Sequence, residues 1–306
     1  MDQSSVGRHW VGPRGVGSSW GAGLPASYFM VGNSSFSEFL AATAPDLLPG
    51  RRVRGGPGDS DGGPGGFGGA GPVVSPHGTT IVAVTFRGGA LIAGDRRATS
   101  GNYIAQHDME KVFVVDDYSA VGIAGSAGVA VEMVRLFAVD LQHYEKIEGV
   151  SLTLDGKANK LAGMVRANLE GAMRGLAALP LFVGYDLDAA DPDRAGRIVS
   201  FDVAGGRYEE SLGYTAVGSG ALFARSALKK LHDPAMEGDA AIRVAMEALY
   251  DAADDDTATA GPDTVRQIYP VVVTVTAAEG AVRLSDEQSG QVAEAVLEGR
   301  KRKPGG

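Results

Sequence analysis

The constraint that governs this chain is a sharp change of character at His77-Gly78-Thr79-Thr80. Before it, between Gly50 and Pro72, eleven of 23 residues are Gly and three are Pro. Such a stretch buries too little apolar surface to offset the entropy of ordering it, so it reads as a disordered linker. After it, Thr80, Val82 and Val84 alternate with Ile81, Ala83 and Thr85, the pattern of a strand buried on both faces. Ser35 to Ala42 forms a short helical pattern with Phe36, Phe39 and Leu40 on one face, ended by Pro45.

Beyond Thr80 the blocks follow in order. Ala90 to Ala93 pairs with the first strand across Arg87-Gly88-Gly89, and Gly94 to Thr99 leaves it as a polar loop. Strands are expected at Lys111–Val115 and Ala120–Ala124. Helices follow over Val129–Ile147, with Val131, Val134, Arg135 and Ala138 on one face, and over Leu154–Leu176. Strands return at Leu181–Tyr185, Arg197–Val203 and Tyr214–Val217, then helices at Leu222–Leu231 and Ala240–Ala253. Strands Val271–Thr276 and Ala281–Leu284 and a helix from Ser285 to Glu298 complete the body, and Arg300 onward reads as a loose basic tail. Strand blocks and helix pairs alternate, which suits mostly antiparallel sheets with helices outside them. The pattern leaves open whether there are one or two sheets.

Composition excludes several kinds of function. A net charge of −9 argues against general nucleic-acid binding. With no cysteine, disulfides, thiolate zinc sites and Cys nucleophiles are out. The five histidines are scattered and predict no metal site, and no cofactor is expected. No apolar run is long enough for a membrane span and no secretory leader is visible, so a cytoplasmic protein is the expectation.

Thr79 is the candidate nucleophile. A Thr hydroxyl needs a base, and an N-terminal Thr carries one in its own α-amine, whose ordinary pKa is about 8. That chemistry requires a cut between Gly78 and Thr79. Gly78, lacking a Cβ, leaves the hydroxyl room to reach the preceding carbonyl. Read locally, Thr79 is equally the first residue of an edge strand.

The segments Thr79-Thr80-Ile81-Val82-Ala83, Gly94-Asp95-Arg96-Arg97-Ala98-Thr99, Lys111-Val112, Gly122 to Ala127, Ala216-Val217-Gly218-Ser219-Gly220 and Asp256-Thr257-Ala258-Thr259 together resemble a proteasome β subunit, most closely of the actinobacterial type. Asp95 falls sixteen residues after Thr79 and Lys111 thirty-two, as that family's pattern requires. The resemblance implies an α+β fold, a four-layer αββα sandwich of two mostly antiparallel sheets, of the N-terminal-nucleophile hydrolase kind. It implies a pro-segment of residues 1–78 removed by self-cleavage, a hydrolase domain of 79–300, and a flexible basic tail of 301–306.

It also implies roles. Lys111 would lower the pKa of the Thr79 hydroxyl and steady developing negative charge, and Asp95 would hold Lys111 charged and oriented. Without the resemblance these read as a surface lysine and a turn residue. The Gly125 N–H would serve as oxyanion donor, though Gly125 is also a plausible turn glycine. Ser219 would bond the Thr79 amine, with Asp256 and Thr259 completing that cluster; its other reading is a cap for the following helix. Thr259 stands where related chains often have Ser. Ala98, Met109, Ile123 and Ala127 would shape an apolar substrate pocket, and Thr99 would offer backbone bonds to an extended peptide.

The implied reaction is hydrolysis of unfolded or tagged proteins through an acyl-enzyme on Thr79. The implied partners are proteasome α subunits, copies of itself in seven-membered rings and an ATPase activator through the α ring, with no nucleic acid or membrane. Alternatives are an HslV-type peptidase or an amidase of the same class, and a catalytically silent ring subunit.

Overall fold

The computed structural model describes residues 78–304. The expected helix at 35–42, the linker at 50–72 and the rest of the proposed pro-segment up to His77 lie outside the described residues.

The chain opens with a hairpin of β1 (Thr80–Phe86) and β2 (Gly89–Gly94), then a smaller hairpin, β3 (Ala98–Ser100) with β4 (Tyr103–Gln106). Next come β5 (Val112–Asp116), β6 (Ser119–Gly125), and helices α1 (Ala127–Glu148), α2 (Leu154–Ala167) and the short α3 (Leu169–Met173). They are followed by β7 (Ala178–Tyr185), β8 (Gly196–Phe201), β9 (Arg207–Glu209) and β10 (Tyr214–Gly218). Helices α4 (Ala221–Leu231) and α5 (Gly238–Asp255), strands β11 (Val271–Thr276) and β12 (Gly280–Arg283), and helix α6 (Asp286–Arg302) finish the fold.

Two five-stranded sheets result, ordered β10-β1-β2-β11-β12 and β5-β6-β7-β8-β9. Every strand pairing in them is antiparallel. The period-two alternation of β1 and β2 sends their side chains to two different cores. Ile81, Ala83, Ala90 and Ile92 meet Leu181, Val183 and Ile198 between the sheets. Val82, Val84, Leu91 and Ala93 pack outward on Ala245, Met246 and Leu249 of α5. On the far side, Val121, Ile123 and Phe182 pack on Met133 and Phe137 of α1 and Leu161 and Val165 of α2. Each fully buried Val, Leu, Ile, Phe or Met side chain among them contributes ~1.5–3 kcal/mol of transfer free energy. Helices therefore cover both outer faces, giving the αββα order, with β1 and β2 in its interior.

The elements depart from the sequence pattern in a few places. The polar stretch after β2 makes a hairpin, β3–β4, whose second strand is wholly exposed and so carries no apolar alternation. The helix expected over Leu154–Leu176 breaks at Asn168. The Asn168 side-chain amide donates to the Leu176 carbonyl at 3.0 Å, a local bond that competes with helix continuation. The buried face of α1 is Ala130, Met133, Val134, Phe137 and Leu141, so Val131 and Arg135 fall off it. The last helix extends through Arg302, and Arg300 pairs with Asp251 and lies over the Tyr250 ring, so the first of the basic residues belong to packed structure.

Candidate active site

Thr79 sits just before β1, which runs between β10 and β2. It is buried, at 4% exposure, and still joined to Gly78. Its Oγ donates to the Gly78 carbonyl oxygen at 2.6 Å. Lys111 Nζ donates to the same oxygen at 3.1 Å. A cation and a hydroxyl thus converge on the one peptide bond that would have to break.

Strand register brings Asp95 to this point. Ile81 pairs with Gly94, the last residue of β2, so the residue just after the strand lies opposite Thr80. Thr80 N–H donates to Asp95 Oδ1 at 2.8 Å, and Asp95 N–H to the Thr80 carbonyl at 3.1 Å. Lys111 comes from the other sheet, immediately before β5. Its Nζ meets Asp95 Oδ1 at 2.7 Å and also donates to the Arg97 carbonyl. With Gly78 that makes three acceptors, which satisfies all three N–H bonds of an ammonium. Asp95 Oδ2 accepts from Arg97 N–H at 2.9 Å and Ala260 N–H at 3.0 Å. Burial pushes the Lys111 amine below its ordinary value, opposed by the charge and hydrogen bond of Asp95. Lys111 is 3% exposed, so it is not a surface lysine.

A second polar cluster lies beside Thr79. Ser219 N–H donates to the Thr79 carbonyl at 2.9 Å. Ser219 Oγ donates to Asp256 Oδ2 at 2.6 Å, and Thr259 Oγ to the same oxygen at 2.6 Å. Helix α4 is capped at Gly220 without a side chain, so Ser219 is not its cap. Gly218 lets this turn approach: its φ is +105°, and a Cβ there would stand 1.9 Å from the Thr79 carbonyl oxygen. The Ser219 hydroxyl contacts the Thr79 carbonyl at 3.4 Å; the nitrogen of Thr79 is an amide while Gly78 is attached.

A narrow cleft opens at Thr79, lined by Ala98, Met109, Ile123, Gly125 and Ala127 together with Glu110, Ala130 and Val131. Five residues singled out from the sequence therefore share one wall with Thr79. Along β6, Ile123 N–H points to Lys111 O and Ser126 N–H to Ala177 O, on opposite sides. Alternation turns the Gly125 N–H to the Lys111 side, toward the cleft. Thr99 lies on β3, paired with Ile104 of β4, and its Oγ closes against Gly78. Among the described residues, no group of three His, Cys, Asp or Glu side chains is placed to hold a metal ion.

Several members of these clusters were not singled out from the sequence. Arg97 supplies a carbonyl to Lys111 and holds the Thr257 and Thr259 carbonyls at 3.0 and 3.1 Å. Val131 reaches the cleft from α1 because it sits off the buried helix face. Thr80 Oγ lies 2.6 Å from Thr259 Oγ. A Thr in an alternating strand looks like any β-branched residue, so the sequence carried no signal for that hydroxyl.

The arrangement can deliver a hydroxyl to a carbonyl carbon, place positive charge at its oxygen, and hold an extended apolar chain alongside. Comparison with known proteins points the same way. The family described as proteasome subunit matches residues 75–268. The proteasome subunit beta of Saccharomonospora viridis is 65% identical over 285 residues, 93% of this chain and 96% of the relative. Those of Saccharopolyspora erythraea and Rhodococcus erythropolis are each 62% identical, covering 94% and 87% of this chain and 96% and 88% of theirs.

Proposed function

This chain belongs to the proteasome subunit family, among its β subunits, and from that premise we propose that it is a threonine endopeptidase that generates its own nucleophile by cutting Gly78-Thr79. The observation that carries the reading is the convergence of Thr79 Oγ and Lys111 Nζ on the Gly78 carbonyl oxygen, at 2.6 and 3.1 Å.

In the self-cut, Thr79 Oγ bonds to the Gly78 carbonyl carbon and negative charge moves to the Gly78 oxygen, where Lys111 already donates. The C–N bond then breaks, the hydroxyl proton ends on the departing Thr79 nitrogen, and an ester joins Gly78 to Thr79 Oγ. Water hydrolyses the ester to release residues 1–78 as a carboxylate and free Thr79 with both amine and hydroxyl.

In turnover the amine takes the Oγ proton as Oγ attacks a substrate carbonyl. Charge on that oxygen is met by the Gly125 N–H and the nearby Lys111. The amine returns the proton to the leaving peptide, and water completes hydrolysis of the acyl ester. The Ser219 hydroxyl has one hydrogen, committed to Asp256 at 2.6 Å in preference to the Thr79 carbonyl at 3.4 Å. Its lone pairs are left to accept from the freed Thr79 amine, which keeps that base oriented. Asp95 and Arg97 fix Lys111, and Asp256 with Thr259 fixes Ser219. Ala98, Met109, Ile123 and Ala127 favour an apolar residue before the scissile bond, while Thr99 on β3 pairs with the extended substrate.

As a β subunit the chain assembles into a core with α subunits and further β copies. The finer reading has seven-membered rings, residues 79–300 as the working body, a cytoplasmic location, and an activator delivering unfolded or tagged proteins through the α ring. No helix among the described residues is long and apolar enough to cross a membrane.

The test is intact mass and N-terminal sequencing of assembled particles, with a Thr79→Ala chain alongside. The expected result is a chain that starts at Thr79 and an alanine variant that stays uncut and inactive. An alanine variant that still cleaves peptides, or active particles retaining Met1, would overturn the reading.

A further inference from the structure

We propose that Thr80, the residue after the nucleophile, is a positioning residue for the reaction, holding the Ser219–Asp256–Thr259 cluster against Thr79 through a one-way hydroxyl relay. The inference rests on the catalytic reading of Thr79 and adds to it a residue to which neither the resemblance nor the cleft assigns a role.

The direction of the relay follows from what each group can donate. Asp256 Oδ2 accepts from Thr259 Oγ at 2.6 Å, which uses the only hydroxyl hydrogen of Thr259. The 2.6 Å bond between Thr259 Oγ and Thr80 Oγ must then be donated by Thr80. Thr80 Oγ in turn accepts from the Gly220 N–H at 3.0 Å. Protons therefore point from Gly220 to Thr80 to Thr259 to Asp256, and Asp256 receives a second bond from Ser219 at 2.6 Å. Three separate pieces of chain, the start of β1, the Gly218–Gly220 turn and the loop after α5, meet at one hydroxyl.

Two further observations place weight on that hydroxyl. Thr80 is 0% exposed, so no solvent can replace a lost partner. Gly220 packs so closely on it that a Cβ would stand 2.5 Å from Thr80 Oγ and 2.8 Å from Thr259 Oγ. The backbone of Thr80 is also committed, its N–H donating to Asp95 Oδ1 at 2.8 Å. Thr80 thus ties the Asp95–Lys111 pair on one side of the nucleophile to the Ser219–Asp256 pair on the other. Its side chain is not among those lining the cleft, so substrate binding does not depend on it directly.

Thr80→Val keeps shape and removes the relay, leaving the Gly220 N–H and a Thr259 lone pair unmatched. The experiment compares wild type, Thr80→Val, Thr80→Ser and Thr79→Ala, each expressed as the full-length chain and assembled into particles, on a short fluorogenic peptide. Rates of wild type and the Thr80 variants are normalised to chains bearing a free Thr79, and the Thr79→Ala rate to total chain. Thr80→Val is expected to lower kcat about tenfold with KM within about twofold, and Thr80→Ser to restore kcat to within about threefold of wild type. A cycle with Thr259→Val should show the double variant close to the slower single one, because both cut the same relay. Wild-type kcat in Thr80→Val, a serine variant as slow as the valine one, or multiplicative effects in the cycle would overturn the proposal. If the valine chain does not assemble, Thr80→Ala, which also lacks the hydroxyl, takes its place with the same readings. A Thr79→Ala particle that cleaves peptide at the wild-type rate would instead sink the catalytic reading itself.

Discussion

Gly78→Ala separates the self-cut from turnover in a single chain. A Cβ on Gly78 would stand 2.5 Å from Thr99 Oγ, 2.7 Å from the Ala258 carbonyl oxygen and 2.8 Å from Ala258 Cβ. Ordinary contact begins near 3.4 Å, so these neighbours must each give about 0.6–0.9 Å. Thr99 can turn its side chain. Ala258 cannot move freely, because its N–H is held by Asp256 at 3.2 Å and the carbonyls on either side of it by Arg97. Overpacking of this kind costs ~1–3 kcal/mol. The displacement falls on the residue whose carbonyl must meet Thr79 Oγ and Lys111 Nζ, so the cost is expected in the approach geometry. Each 1.36 kcal/mol is a factor of ten, which gives a self-cut about 5- to 150-fold slower.

A time course of intact mass on the purified full-length chain measures it. The control is internal: Gly78 leaves with the pro-segment, so the cut product is covalently identical to wild type. Peptide hydrolysis per cut chain must therefore be unchanged. A self-cut as fast as wild type, or faster, would refute the argument, and altered turnover per cut chain would refute the assigned boundary.

Two other outcomes follow from the site. Burial holds the Lys111 amine below its ordinary value of 10.5, so between the lowered value and 10.5 the unfolded chain binds more protons than the folded one. The stability tied to this titration is fully present above 10.5 and lost as pH falls through the lowered value. Chemical denaturation across that window should therefore show wild type gaining stability with pH relative to Lys111→Met; parallel curves would refute the shift. Val131 enters the cleft from α1, so Val131→Phe should cut kcat/KM for peptides with a bulky apolar residue before the scissile bond by about tenfold while sparing alanine there. Equal losses on both substrates would show that Val131 does not shape the pocket.

What could be read from the sequence depended on whether a residue's role is local. The alternation of Thr80 to Thr85 is a property of adjacent residues, and it correctly marks a strand buried on both faces between two cores. Helix α1 shows where periodicity fails. It carries Leu136, Val139 and Ile147 exposed on one side and Met133, Val134 and Phe137 buried on the other. With apolar groups on both faces, period alone cannot choose the buried one, and the pattern groups Val131 with Val134 although only Val134 lies on the buried face. The β3–β4 hairpin is illegible for the opposite reason: its strands bury too little to leave a pattern.

The site is non-local almost by construction. Lys111 meets Asp95 across two sheets, and Ser219 and Asp256 reach Thr79 from 140 and 177 positions away, so only the resemblance to a known spacing could gather them. Resemblance in turn transmits only residues to which a role has been attached. Thr80 lies within the Thr79–Ala83 motif, yet its hydroxyl acquires meaning only when Thr259, Asp256 and the Gly220 N–H are placed around it. A hydroxyl's direction is fixed by the last acceptor in its chain, here a carboxylate two hydrogen bonds away. That information exists in the folded arrangement and in no window of the sequence.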